Sequence, residues 1–243
     1  MPILDKNHPM VKEADLKGPI FRQLGRRITI PLVWFIHKHT KLTPNQITLA
    51  VGLLSILNGY FFFEGLYPYF FPPEYSYWFL VAGGILIILR YIFDFVDGSL
   101  ARVKNTASMT GYWFDHHADE FGKLAVFLGI ILGVYYATTD SLVLIMGLLI
   151  MAFYFYGSLT YQIFMRLPAA NDMAENEKSK WYLKLFIQFF PTDPQLTAVI
   201  ALAAFINKMY WLVVILTVWT VLFAIAQWFM MSYRLLKKPK VQE

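Results

Sequence analysis

Residues 94–119 read DFVDGSLARVKNTASMTGYWFDHHAD and place four aspartates on the two sides of a short basic loop. The segment lies between two strongly apolar runs of the chain. An isolated carboxylate is costly beside hydrocarbon, so cations must neutralise these side chains. The pattern therefore predicts two neighbouring membrane helices that share a cluster of acidic residues. Its members are Asp94, Asp97, Asp115 and Asp119.

The whole chain is too apolar for a soluble domain of its length. Of its 243 residues, 58% are hydrophobic and 15% are charged. Several apolar runs approach the roughly 20 residues that cross a bilayer, and they are continuous rather than alternating. Because a spanning backbone must satisfy its own hydrogen bonds, the predicted class is an all-α integral membrane protein. Cysteine is absent, which excludes disulfides and a cysteine nucleophile.

Residues 19–39 predict an amphipathic helix on the membrane surface. Apolar side chains, including Ile28, Leu32 and Phe35, recur at steps of three and four, while arginines lie off that stripe. The alternative is a basic first transmembrane span, which the short and interrupted apolar run disfavours. This helix is therefore expected to precede the transmembrane bundle.

Six transmembrane helices are predicted after this surface helix. The motif LTPNQITL starts the first of them, because Thr43 and Gln46 can form a capping box around Pro44 at the first helical position. The predicted spans cover residues 45–64, 77–99, 111–136, 141–165, 194–206 and 209–233.

The loop charges predict the orientation in the membrane. The loops at 65–76 and 137–140 contain no lysine or arginine, whereas those at 102–109 and 166–193 and the C-terminal tail contain several. The positive-inside rule then places both termini and the aspartates on the cytosolic side, with Lys208 as the one exception. The predicted domains are a cytosolic segment with its juxtamembrane helix over residues 1–41 and a six-helix transmembrane catalytic domain over residues 42–243.

The spacing of the aspartates indicates a metal site. Asp94 and Asp97 are three residues apart, and Asp115 and Asp119 are four apart, so each pair lies on one helical face. Carboxylate oxygens around a shared cavity suit Mg²⁺, Mn²⁺ or Ca²⁺, and Arg102 adds a cation whose fork matches a phosphate. The arrangement describes a pyrophosphate site. The alternative, solvated aspartates paired with nearby cations, is disfavoured by the interleaved glycines, alanine and arginine.

The same stretch carries a family signature. Residues 94–119 follow the pattern D-x2-D-G-x2-A-R-x8-G-x3-D-x3-D without a departure. With eight fixed positions, this resembles the signature of the class I CDP-alcohol phosphotransferases, also named CDP-alcohol phosphatidyltransferases. The surface helix, the TPNQIT motif and the six-span layout extend the resemblance over most of the chain.

The resemblance implies an enzyme of phospholipid synthesis in the membrane. Such enzymes transfer a substituted phosphate from a CDP-alcohol, often CDP-diacylglycerol, to a hydroxyl acceptor and release CMP. The resemblance also implies two divalent cations, Mg²⁺ or Mn²⁺, and a homodimer. Membrane lipids are the expected neighbours, and no nucleic-acid partner is expected.

The resemblance further implies roles for particular residues. Asp119 corresponds to the general base that takes a proton from the acceptor hydroxyl. The ligands of the two metal ions correspond to Asp94, Asp97, Asp115 and Asp119. The lining of the cytidine-diphosphate pocket corresponds to Gly98, Ala101, Arg102 and Gly111, and Asn45 and Thr48 are candidates to approach the nucleotide from the first span.

An anionic acceptor would need further cations. Two interpretations stay open for Arg90, which either binds an acceptor phosphate or pairs with Asp94. Lys123 either meets a substrate phosphate or extends its amine toward water. Residues 166–193 mix cations with aromatic residues and either cover the site or bind headgroups. The candidate acceptor-binding residues are Arg90, Lys104, Lys123 and Arg166.

His116 and His117 flank Asp115 but are not predicted to bind one ion together. Neighbouring residues of a helix point about 100° apart, so both rings cannot face a single metal. They are interpreted as packing or supporting residues beside the site.

Two other functions stay open. A transporter or channel could use the aspartates as cation or proton sites, but transport sites tend to lie near the bilayer midplane, whereas these aspartates are predicted near one face. A same-fold enzyme could instead use a small soluble CDP-alcohol as donor. The segment KGPIFRQLGRRITIPL before the first span resembles the corresponding segment of inositol-phosphate-using members. The motif FDHHAD instead resembles that of the choline and ethanolamine transferases. The sequence therefore does not name the acceptor.

Overall fold

Helices make up the computed structural model, which describes residues 20–165 and 193–236, with side-chain environments for residues 25–160 and 194–233. No strand occurs in these ranges, so the prediction of an all-helical protein is confirmed. The helices are α1 (Ile20–His39), α2 (Pro44–Leu66), α3 (Ser76–Val103), α4 (Met109–Thr138), α5 (Ser141–Met165), α6 (Asp193–Phe205) and α7 (Met209–Leu236), with a 3-10 turn at Pro73–Tyr75 before α3.

Five helices in the described ranges, α2 to α5 and α7, are long and apolar enough to cross a membrane. α6 is the exception among the predicted spans. Its 13 residues rise only about 20 Å at 1.5 Å per residue, which is less than the roughly 30 Å of a hydrocarbon core. Five of the predicted spans therefore have the length and composition of membrane helices, and the count of six stays a prediction.

The start of α2 has the predicted capping box. The Thr43 hydroxyl accepts a hydrogen bond from the Gln46 backbone N–H at 3.3 Å, and the Gln46 side chain accepts one from the Thr43 N–H at 2.9 Å. Pro44 occupies the first helical turn, where its missing N–H costs nothing. These local contacts determine where α2 begins.

The connection between α3 and α4 is equally well defined. Ser108 caps α4 by accepting a hydrogen bond from the Gly111 N–H at 3.0 Å. The Lys104 amine donates to the Leu42 carbonyl at 2.7 Å and so ties this connection to the segment before α2. The ends of α2, α3 and α4 therefore meet at one end of the bundle.

Glycines let α2 and α4 pack backbone against backbone. A Cβ atom on Gly129 would lie 2.0 Å from the Gly59 carbonyl oxygen, and one on Gly59 would lie 2.3 Å from that of Ala125. Small residues at such a crossing allow the close approach that stabilises helix pairs in lipid. This packing fixes the aspartates of α4 relative to the polar residues of α2.

α1 packs against the end of α3 that bears the aspartates. Its buried apolar side chains are Ile30, Val33 and Ile36, whereas Ile28 and Phe35 of the predicted apolar stripe are both 54% exposed. The face of α1 that packs on the other helices is therefore a neighbour of the face that carries Ile28 and Phe35. Whether the exposed stripe lies on a membrane surface stays a prediction.

Candidate active site

Asp97 lies at the centre of the acidic cluster. Its side chain is only 3% exposed, although α3 ends six residues later at Val103. The carboxylates of Asp115, from α4, and Asp94 are close enough to act on it electrostatically. The structure therefore brings three of the four predicted metal ligands into one neighbourhood.

Both carboxylate oxygens of Asp97 accept a hydrogen bond from the protein. The Thr48 hydroxyl of α2 donates to Oδ2 at 2.6 Å, and the Gly98 backbone N–H donates to Oδ1 at 2.5 Å. The same hydroxyl lies 3.2 Å from the Pro44 carbonyl, so its contact with Asp97 is the shorter of the two. Thr48, a candidate for the nucleotide site, is thus in direct contact with a predicted metal ligand.

The two glycines of the signature differ in how closely their neighbours approach. A Cβ atom on Gly98 would meet Arg102 at 3.7 Å, an ordinary contact, so protein packing alone does not require glycine there. A Cβ on Gly111 would lie 3.2 Å from the Ser108 hydroxyl and 3.6 Å from the Asn45 side-chain oxygen. Asn45 and Gly111 are therefore neighbours, as expected if both line one pocket.

Ala101 and Arg102 lie in the last turn of α3. The Ala101 carbonyl accepts a hydrogen bond from the Thr106 N–H at 2.9 Å, and Arg102 donates to the Ser99 hydroxyl at 3.1 Å. Both residues are half-buried at the end of the bundle where the aspartates lie. Their role in binding a nucleotide stays a prediction.

Asp119 is held by two buried cations. Arg90 of α3 forms an ion pair with Oδ1, and Lys123, one turn further along α4, lies 2.5 Å from Oδ2. Arg90 also donates from Nε to the Ser55 hydroxyl of α2 at 2.9 Å. The partner that the structure shows for Arg90 is therefore Asp119 on the neighbouring helix, and not Asp94, which was one of its two predicted partners. Lys123 is 6% exposed, which contradicts the alternative in which it extends into water.

Three polar residues around this ion pair did not stand out in the sequence. Glu120 accepts hydrogen bonds from Lys123 at 3.4 Å and from Ser158 of α5 at 3.2 Å. Ser55 follows Thr48 by two helical turns, so a polar stripe along α2 was the available signal for it. Ser158 had no such signal, because its contact depends on how α5 packs against α4.

Two candidate acceptor-binding residues, Lys104 and Arg166, remain. The Lys104 amine donates a hydrogen bond to the Leu42 carbonyl in an exposed position, and not to one of the aspartates. Arg166 and the other residues of the predicted segment up to position 192 lie outside the described residues, so their predicted roles remain predictions.

The two histidines contact aromatic rings of their own helix. His117 stacks on Trp113 with ring centroids 4.0 Å apart, and its Nδ1 lies 2.8 Å from the Trp113 carbonyl. The His116 ring is nearly parallel to that of Tyr112, with centroids 6.4 Å apart. These contacts agree with a packing role beside Asp115.

The donor atoms of the cluster suit a divalent cation. Asp94, Asp97 and Asp115 supply hard carboxylate oxygens, the type of ligand that Mg²⁺ and Mn²⁺ prefer. Across the part of the chain that the structure describes, no three acidic or histidine side chains form a preassembled metal site. Three aspartates thus have the donor chemistry that a divalent metal needs, and the fourth, Asp119, is engaged by Arg90 and Lys123.

Replacing Thr48 with valine tests its contact with Asp97. The change keeps the shape of the side chain and removes a hydrogen bond to a buried carboxylate. We expect the free energy of unfolding to fall by about 2 kcal/mol, since leaving a buried acceptor without its donor costs about 1–3 kcal/mol. Denaturant unfolding of the purified protein in detergent measures the difference.

Thr217→Val is the matched control for this substitution. The Thr217 hydroxyl donates only within α7, to the Val213 carbonyl at 2.8 Å. The same loss of stability in both variants would contradict a specific contribution of the Thr48–Asp97 contact.

The fold has a solved counterpart. The phosphatidylinositol phosphate synthase of Mycobacterium tuberculosis, crystallised with CDP-DAG bound, superposes with a TM-score of 0.53 at 19% identity. The alignment covers 89% of this chain and 98% of that one. The likeness is therefore one of overall fold.

Two characterised relatives are similar over shorter stretches. The bifunctional IPC transferase and DIPP synthase of Aquifex aeolicus is 30% identical over 108 residues, which are 44% of this chain and 22% of the relative. Choline/ethanolaminephosphotransferase 2 of Arabidopsis thaliana is 36% identical over 83 residues, which are 32% of this chain and 20% of the relative. The matched region thus spans about a fifth of each relative's length.

A family model covers most of the sequence. The model described as CDP-alcohol phosphatidyltransferase matches residues 41–226, which include the whole of the signature at residues 94–119. The resemblance expected from that signature is confirmed. The chain therefore belongs to the CDP-alcohol phosphatidyltransferase family and is an enzyme of this class.

Proposed function

We propose that the protein transfers a substituted phosphate from a CDP-diacylglycerol-type donor to an alcohol acceptor and releases CMP, as a step of phospholipid synthesis. The observation that carries this proposal is the convergence of Thr48, Asp97 and Asp115, from three helices, on one acidic cluster in a chain of this family. The solved neighbour was crystallised with CDP-DAG, which supports the choice of donor.

The acidic cluster would hold two divalent ions, Mg²⁺ or Mn²⁺. Their ligands would be Asp94, Asp97, Asp115 and Asp119. Bound there, the ions would supply positive charge that offsets the charge of the diphosphate and of departing CMP. The closeness of Asn45 to Gly111 supports a nucleotide pocket lined by Gly98, Gly111, Ala101 and Arg102, with Asn45 and Thr48 on the opposite helix.

Asp119 is the proposed general base. Its two carboxylate oxygens contact Arg90 and Lys123, and each oxygen keeps a second lone pair for an acceptor hydroxyl. The hydroxyl proton moves to Asp119 while the hydroxyl oxygen bonds to the β-phosphorus. The bond from that phosphorus to the bridging oxygen breaks, and CMP leaves with the electron pair.

Arg90 and Lys123 are the acceptor-binding candidates that lie beside this base. A phosphorylated acceptor could use them if it displaced the carboxylate, whereas a neutral alcohol would not need them. The relatives support neither choice, since one is named for choline and ethanolamine and the other is a bifunctional enzyme.

The membrane arrangement belongs to the same proposal. We infer a multi-pass homodimer in which both termini and the site face the cytosol. Residues 1–41 would form the cytosolic segment and juxtamembrane helix, and residues 42–243 would form the catalytic domain. The alternation of basic and uncharged loops supports this orientation.

The depth of the aspartates favours an enzyme over a transporter. All four lie within about 15 Å of the helix ends at the α3–α4 connection, at 1.5 Å per residue. The midpoints of α3 and α4, with 28 and 30 residues, are about 21 Å and about 23 Å from the same ends. Transport sites tend to lie near the midplane, so this location supports chemistry at one membrane face.

A CMP-release assay tests the proposed function. Purified protein in detergent is incubated with CDP-diacylglycerol and one acceptor. Separate reactions contain serine, glycerol phosphate, inositol or inositol phosphate. We expect one acceptor to produce CMP, EDTA to abolish the product, and Mg²⁺ or Mn²⁺ to restore it, because the aspartates need a cation to hold the diphosphate.

Two controls make the assay decisive. CDP-choline with diacylglycerol tests the soluble donor, and CMP from this pair alone would contradict a CDP-diacylglycerol-type donor. The absence of CMP with every pair, at a divalent-ion concentration that saturates the protein, would favour the transporter.

A further inference from the structure

Asp119 is part of a buried group of charges that extends beyond the family signature. The exposed fractions of the side chains are 13% for Asp119, 5% for Arg90 and 7% for Lys123. Glu120, at 21%, shares the Lys123 amine. Two carboxylates and two cations thus lie together at the edge of the acidic cluster, and their formal charges balance.

Neighbouring helices hold both cations in place. The Arg90 Nε atom donates to Ser55, whose hydroxyl in turn donates to the Val51 carbonyl at 2.8 Å. A Cβ atom on Gly122 would lie 2.6 Å from that hydroxyl, so the glycine is needed for Ser55 to approach. The position of the Arg90 charge is therefore set by α2 and α4 and does not depend on a substrate.

Lys123 is fixed from the other side. Its amine lies 5.8 Å from the centre of the Tyr154 ring of α5, and Glu120 is itself held by Ser158 of the same helix. A cavity between Arg90, Lys123 and Thr197 measures only about 10 Å³. That is room for about one water molecule and not for a phosphate. The two cations are thus arranged around a carboxylate instead of an open anion pocket.

We propose that Arg90 and Lys123 are positioning residues that hold Asp119 in the metal-free enzyme and compete with divalent ions for its carboxylate. This inference rests on the proposed function, because it takes Asp119 as a metal ligand. A divalent ion at the aspartates is a like-charged neighbour of both cations, so their presence weakens its binding. The chain's own cations would then set the ion concentration at which the enzyme becomes active.

The alternative to be tested is that Arg90 strengthens the binding of the divalent ion. If Arg90 and Ser55 orient Asp119 so that it can bind the ion, then removing the Arg90 charge weakens ion binding. If Arg90 contributes only to folding, removing its charge leaves the ion affinity of the folded protein unchanged. The sign of the change in affinity therefore distinguishes competition from support.

Mn²⁺ binding to the substrate-free protein measures this sign. Free Mn²⁺ is followed by electron paramagnetic resonance during titration of the full chain in detergent. We expect Arg90→Gln to bind Mn²⁺ at least about fivefold more tightly than the wild type, the lower end of typical couplings between sites. Arg90→Lys keeps the charge and should stay within about twofold of the wild type.

Lys208→Gln is the matched control for the loss of one positive charge. Lys208 is exposed in the turn between α6 and α7, and its removal should leave Mn²⁺ affinity unchanged. Ser55→Ala keeps the Arg90 charge but removes its anchor, so it should also tighten Mn²⁺ binding, by a smaller factor. This milder variant decides the question if Arg90→Gln does not fold.

Unchanged or weaker Mn²⁺ binding by folded Arg90→Gln, or by Ser55→Ala in its place, would overturn the competition. A different result would overturn the proposed metal site itself: wild-type protein that binds no Mn²⁺, or binding that persists in Asp97→Asn. The two failures are therefore distinguishable in one titration series.

Discussion

Replacing Asp119 with asparagine is expected to abolish CMP release. Asparagine has nearly the same shape and still accepts a hydrogen bond, but it cannot take the proton of an acceptor hydroxyl. General-base catalysis contributes about 10²–10⁴-fold to a rate, so turnover should fall by at least this range. The rate of CMP formation at saturating donor, acceptor and Mn²⁺ measures the loss.

Asp140→Asn provides the matched control at the opposite end of α4. The Asp140 carboxylate accepts hydrogen bonds from the Leu142 N–H at 3.0 Å and the Tyr210 hydroxyl at 3.4 Å. Asparagine also caps helices well, so this variant should turn over at close to the wild-type rate. Turnover at the wild-type rate by Asp119→Asn would refute the base role. An Mn²⁺ titration of the same variant separates loss of the base from loss of a metal ligand.

Replacing Gly129 with alanine is expected to cause the largest loss of stability. The new methyl group would lie 2.0 Å from the Gly59 carbonyl oxygen and 2.5 Å from its carbon, so α2 and α4 must separate. Overpacking a core costs about 1–3 kcal/mol, and this contact involves backbone that cannot rotate away. We expect the free energy of unfolding to fall by about 3 kcal/mol or more. Thermal unfolding in detergent, followed by circular dichroism, measures it.

Gly52→Ala tests the same residue change on the same pair of helices without the clash. Its methyl group would approach the Ala118 Cβ atom at 3.9 Å, which is ordinary contact. Because alanine favours helices over glycine by about 0.5–1 kcal/mol, this variant should be as stable as the wild type or slightly more stable. A Gly129→Ala protein that unfolds at the wild-type temperature would contradict the close packing of α2 against α4.

Several features could be predicted because they depend on neighbours in the chain. The Thr43–Gln46 capping box needs only a three-residue spacing, and the structure confirms it. The membrane-helix character of α2 to α5 and α7 follows from local composition, and it too is confirmed. The family followed from eight residues whose spacing within 94–119 is read directly from the sequence.

Other features depend on packing between helices. The apolar repeat of α1 does not show that the bundle contacts the face with Ile30, Val33 and Ile36, and the placement of its exposed stripe on a membrane surface stays a prediction. For Arg90 the sequence left an acceptor phosphate and Asp94 of its own helix as possible partners, and the structure shows its side chain paired with Asp119 of α4. Helical periodicity cannot distinguish these choices, because it does not say which helix lies alongside.

The sequence by itself determined the class of the protein, its main membrane helices and the identities and spacing of the four aspartates. Those properties depend on composition and on the helical repeat, both of which are local. The tertiary structure alone decided that Thr48 contacts Asp97, that Arg90 and Lys123 hold Asp119, and that Ser55, Glu120 and Ser158 support them. Each of those contacts depends on the distance and rotation between packed helices, which glycines such as Gly122 and Gly129 set through the space they leave.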